Sequence, residues 1–140
     1  MVRRPSTVIH KLVLAIIACL FIGFGGVAWL DPVATVSPLA IELTAPQALT
    51  EIRATYGGLM IGIGLVFAGA AIKTEMTRFG LLSAAIMLTL IGLTRLYGIV
   101  ADGSASPLLW QLLAVELVPA TLAWCLLLKP TANSNASGQL

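Results

Sequence analysis

The chain is short of charge, histidine and cysteine, and each shortage excludes something. Of its 140 residues eight are basic and six acidic, so charged residues make up only 10%. An ordinary soluble domain carries about a quarter. The few basic residues form no stripe that could follow a nucleic-acid backbone, so no nucleic-acid partner is expected. His10 is the single histidine and precedes the first apolar run, which leaves no helix-borne histidine pair for haem or di-iron chemistry. Cys19 and Cys125 fall in separate apolar runs with no Cys-x-x-Cys pairing, so thiol exchange is not indicated and both read as small packing residues. No zinc cluster, nucleophile elbow, Walker loop or dinucleotide fingerprint is present, and the Gly-x-Gly at Gly62 and Gly64 lies in mid-run. The expectation is therefore no metal, no cofactor and no catalytic residue.

What the chain has is hydrophobic length. Hydrophobic residues make up 59%, gathered in four runs at 12–30, 54–72, 79–100 and 107–128. Each holds about 19 to 22 residues, enough to cross a hydrocarbon core about 30 Å thick at 1.5 Å per residue. The expected fold class is all-α, an integral membrane bundle of four transmembrane helices. Its flanks would be a cytoplasmic segment at 1–11 and a disordered cytoplasmic tail at 129–140. Arg3, Arg4, Lys11, Lys73, Arg78 and Lys129 fall on one side of such a bundle. By the positive-inside rule that side is cytoplasmic and both termini lie there, as in a multi-pass protein of a bacterial inner membrane. The opposite side holds Asp31, Glu42, Glu51 and Asp102, with Arg53 as its basic residue. Ile16-Ile17-Ala18-Cys19 looks like a lipoprotein cleavage box, but the apolar run continues to Leu30, which favours an uncleaved first span.

The connections follow from breakers and caps. Asp31-Pro32 ends the first span, and Pro32, Ser37 and Pro38 make the stretch from Asp31 to about Thr44 a loop without regular structure. Thr44 with Gln47 three residues on has capping-box spacing, so the second helix is expected to start near Ala45, outside the membrane. Lys73 to Arg78 and Ala101 to Ser106 are tight turns, which makes the second and third spans, and the third and fourth, antiparallel neighbours. Ser106-Pro107 supplies a cap and a first-turn proline. Asn135-Ala136-Ser137 has sequon form and would be inert on the cytoplasmic side.

Glycine sits inside the spans: Gly23, Gly25 and Gly26 in the first, and Gly57, Gly58, Gly62, Gly64 and Gly69 in the second. Small residues let helix backbones approach in lipid. Three uses stay open: packing within the bundle, a homodimer seam through the second span, or a gap for a flat ligand. No internal repeat supports an inverted-repeat transporter.

Arg95 and Glu116 are the only charges deep within the runs, and a charge at that depth costs about 2.5–3.5 kcal/mol on insertion scales. Arg95 lies about 10 Å below the outer turn at Asp102, and Glu116 about 13 Å below it on the adjoining helix. A guanidinium–carboxylate fork is the simplest solution to both charges. A carboxylate held by arginine is a poor proton carrier near neutrality, which argues against a relay through Glu116. Arg53 and Tyr56, three residues apart on the second helix, are expected to face the same outer pocket, with Asp102 at its rim. The cluster Arg53, Tyr56, Arg95, Asp102 and Glu116 is either a structural ion-pair network or the polar end of a ligand pocket.

Glu51-Ile52-Arg53-Ala54-Thr55-Tyr56-Gly57-Gly58, then Arg95-Leu96-Tyr97-Gly98, Asp102-Gly103 and Glu116, resembles the uncharacterised four-span bacterial membrane proteins grouped as DUF4345. The resemblance runs from about Lys11 to Leu128 and implies a multi-pass membrane protein, with no activity to transfer. DoxX-like proteins offer a looser analogy in which quinone-linked systems appear, and a fold analogy does not establish function. The expected function is a binding or accessory protein whose outer polar cluster holds a lipophilic ligand or a partner helix within the lipid bilayer. The alternatives are a small membrane enzyme acting on a quinone or isoprenoid, with Glu116 as acid or base, and a dimeric small-molecule transporter.

Overall fold

The computed structural model describes residues 5–128. The expected tail from Lys129, the sequon at Asn135, and Arg3 and Arg4 lie outside these residues. Four long helices build the molecule, each long and apolar enough to cross a membrane. Helix α1 is Pro5–Leu30, and a short α2, Pro32–Val36, follows it. The second crossing is made of α3, Pro46–Ile52, a wide π turn at Arg53–Gly58, and α4, Leu59–Ile72. The third is α5, Thr77–Ala101, and the fourth is α6, Pro107–Leu128. Among the described residues there is no strand.

Helix α1 starts ahead of the apolar run, so His10 and Lys11 are helical. Both polar side chains find carbonyls at the end of the bundle that holds the α4–α5 turn, which we call the inner end and the opposite one the outer. Lys11 Nζ donates to the Ile72 carbonyl at 2.9 Å, and His10 Nε2 lies 3.3 Å from the Leu126 carbonyl. A cation on the last carbonyl of α4 meets the negative end of that helix.

The outer connection is more ordered than its prolines suggest. Asp31 caps α2 by accepting the Ala34 amide at 2.9 Å, with Pro32 as first helical residue, and a 3₁₀ turn at Ser37–Leu39 follows. Prolines at helix starts cost nothing, because the missing N–H has no partner there in any case. Val36 is buried and anchors the excursion. The capping box at Thr44 does not form. Pro46 opens α3, which moves the cap position to Ala45, and no side chain caps it.

Packing divides the bundle into two pairs. α1 lies along α4, α5 lies along α6, and α4 meets α5 far less closely although a tight turn joins them. Glycine explains the first pair. Methyl groups placed on Gly25, Gly57 and Gly64 would meet backbone of the second crossing or of α1 at 2.8, 3.1 and 3.0 Å, so these positions bring the two crossings together. Gly62 and Gly69 have nothing within 4 Å, so the second span's glycines divide between an inner seam and an open face. Where the pairs meet, Phe67 crosses Phe21 edge-on at 5.7 Å, and Leu14, Leu81, Ala84 and Ala123 are buried around them. Thr77 closes the inner turn by donating to the Ala70 carbonyl at 3.0 Å.

Candidate functional site

Arg95 and Glu116 meet in the seam between α5 and α6. Arg95 Nε lies 3.0 and 2.9 Å from the two Glu116 oxygens, and Nη2 lies 2.5 Å from Oε1. One edge of the guanidinium thus grips the whole carboxylate, the geometry in which this pair is strongest. The side chains retain 24% and 12% of their surface, so the pair is half-sheltered rather than sealed. Gly92 makes the approach available. It sits one turn below Arg95 on the same side of α5, and a methyl there would strike Leu117 at 2.5 Å and reach Glu116 Cβ at 3.7 Å.

The grip leaves part of the guanidinium unspent. Nη1 has no hydrogen-bond partner among the described residues, and no described side-chain nitrogen or oxygen is both buried and unpartnered. That nitrogen is therefore reachable from outside. Arg95 lines a shallow, open concavity of about 430 Å³ with Leu90, Ile91 and Thr94, all on the outer half of α5. A larger furrow of about 600 Å³ lies between α4 and α5, with Gly58, Gly62, Phe67, Ser83 and Met87 among its walls.

The other residues of the expected cluster go to different places. Tyr56 stands on the π turn with its ring 6.4 Å from that of Phe24. Arg53 turns the other way, donating through Nε to the Trp29 carbonyl at 3.1 Å near the end of α1. There it satisfies a terminal carbonyl and meets the negative end of a helix. Asp102 ends α5, its amide bonded to the Gly98 carbonyl, and among the described residues its carboxylate makes no ion pair. Glu51, turned from any pocket, accepts from the Thr55 hydroxyl at 2.8 Å.

Sequence reasoning missed three residues of α5 and α6. Gly92 is one, and its spacing from Arg95 was the available signal. Pro119 is the second. It lies inside α6 three residues beyond Glu116 and removes the amide that would bond the Val115 carbonyl. Trp124 is the third, donating Nε1 to the Thr89 hydroxyl at 3.1 Å and tying α6 to α5 deeper in the bundle.

A family model described as a domain of unknown function, DUF4345, matches residues 9–127. The chain belongs to that family. The matched stretch of this DUF4345 protein takes in all four crossings, the Arg95–Glu116 pair and the π turn. No curated protein and no solved structure matches the chain. The described residues hold no group of histidine, cysteine or carboxylate side chains placed to bind a metal ion.

Proposed function

We propose that this membrane protein is a binding or accessory protein that holds a lipophilic molecule by its polar head at the Arg95–Glu116 pair. The observation that carries this reading is the half-used guanidinium. A purely structural pair at membrane depth gains by spending as many donors as it can, because lipid offers no replacement partners. Here the Nη1 group is left without a partner among the described residues, on a side chain that shares its concavity with Thr94. Arg53 and Asp102 stand outside this site, and their contacts suit helix-end roles.

The basic residues before the first apolar run, between the second and third and after the fourth support an orientation with both termini cytoplasmic in a bacterial inner membrane. The pair then lies in the outer half of the bilayer. Mass spectrometry of small molecules that co-purify in mild detergent tests the binding reading. The wild-type protein should carry a lipophile that the double variant Arg95→Leu/Glu116→Leu lacks. The double variant keeps the seam filled with apolar groups and strands no charge, so it should fold, and its unfolding midpoint is measured alongside. Equal lipophile content in the two proteins would remove the pair from any binding role.

A further inference from the structure

The furrow between α4 and α5 has the features of a place for a chain. The inner turn makes the two helices antiparallel, and fourteen residues separate Gly58 from Ile72, as fourteen separate Ile91 from Thr77. Gly58 and Ile91 are therefore at one level, and Ile91 of the Arg95 concavity sits one turn beyond Met87 of the furrow on the same side of α5. Ser83, Met87, Ile91 and Thr94 recur at three- and four-residue spacing and run along one side of α5. From Thr94 to Ser83 that stripe is about 16 Å long. The opposite wall is open because Gly62 has no side chain and nothing lies within 4 Å of where one would start. Apart from Ser83 at its inner end, the walls carry glycine and apolar side chains.

We infer that this furrow takes the hydrocarbon tail of a single-chain lipophile whose head carries hydrogen-bond acceptors, with the unspent edge of Arg95 on that head. This rests on the binding reading above and adds to it the class of head and the path of the tail. The class follows from the donors. A guanidinium offers only N–H groups, and the Glu116 carboxylate is already gripped by two of its nitrogens. A carboxylate, phosphate or carbonyl head meets donors there, whereas an ammonium head meets a cation. The site thus selects by what the head accepts, and the furrow by the room for one slender chain.

Two photoreactive probes test this on the full-length protein in mild detergent. Each has a sixteen-carbon chain with a mid-chain diazirine; one ends in a carboxylate and the other in a primary amine. Mass spectrometry then maps the cross-linked residues. The carboxylate probe should label 58–67 and 83–91 in preference to α1 and α6, and the amine probe should label them several-fold less. Gly62→Leu fills the furrow without touching the α1 seam, and should cut carboxylate labelling by at least about fivefold through lost methylene burial. Its unfolding midpoint, measured alongside, should stay at or above the wild-type value. Arg95→Leu/Glu116→Leu should cut labelling as well.

The possible failures separate the two proposals. If Gly62→Leu labels like the wild type while the double variant does not, the head site stands and the furrow is not the tail's path. If the double variant labels fully, the head site itself is refuted. Equal labelling by the amine overturns the class of head. Labelling spread evenly over all four helices means bulk lipid contact only, and cross-links joining two copies at 58–67 assign the furrow to a second chain. Either result overturns the inference.

Discussion

Alanine at Gly25 should cost this protein stability, whereas alanine at Gly69 should not, and the difference measures how tightly α1 and α4 are joined. A methyl on Gly25 would fall 2.8 Å from the Gly57 carbonyl oxygen and 2.9 Å from the Ile61 amide nitrogen. Comfortable contacts of this kind lie at about 3.5–4.0 Å, so the helices must separate by more than half an ångström. Both obstructing atoms belong to backbone and cannot rotate away. Overpacking of this sort costs about 1–3 kcal/mol, and the loss of a mid-helix glycine returns about 0.5–1 kcal/mol. The middle of these ranges leaves a net loss of about 1 kcal/mol, roughly a fivefold shift toward the unfolded state. Gly69 has nothing within 4 Å, so its alanine variant should be neutral or gain about 0.5–1 kcal/mol. Unfolding by sodium dodecyl sulfate from mild-detergent micelles, followed by circular dichroism, gives both midpoints. Equal midpoints for the two variants would refute the claim that the α1–α4 approach rests on Gly25.

Two further outcomes follow from the charges. Arg95→Leu and Glu116→Leu should each destabilise by about 2.5–3.5 kcal/mol, because each strands a charge at membrane depth. The double variant should return to within about 1 kcal/mol of the wild type, and a double-mutant cycle in the same assay reads the coupling. For the orientation, reporter enzymes fused to either terminus should be active only in their cytoplasmic form, and an externally active fusion would reverse the topology.

The four crossings and the Arg95–Glu116 juxtaposition could be read from the sequence because they depend on quantities a sequence carries. Run length gives the crossings, helical rise gives the depth of each charge, and the short outer turn forces α5 beside α6. Arg53 was not readable in the same way. Its partner is the backbone carbonyl of Trp29, and a carbonyl leaves no mark in residue identity. The π turn compounds this, since the Leu59 amide bonds five residues back to Ala54 and shifts the phase between α3 and α4. Faces assigned across 53–58 by ordinary helical spacing do not carry through. The pairing of α1 with α4 was also hidden, because the connection from Asp31 to Ala45 is long enough to permit several neighbours. Thr44 failed as a cap for a local reason: Pro46 opens α3 and sets the cap at Ala45.

The division into two helix pairs has a consequence for the order of assembly. α5 and α6 are consecutive, so their partner contacts become available as soon as the second of them is made. α1 instead waits for α4, whose glycines are synthesised only after the whole outer excursion and α3. During that interval α1 must reside in lipid with its Gly25 face uncovered. It is also the most apolar crossing, with a mean hydropathy of 2.5 against 1.7 to 1.8 for the other three. The helix that enters first is thus the one best able to stand alone, whereas Arg95 enters on α5 and gains its carboxylate partner only when α6 follows.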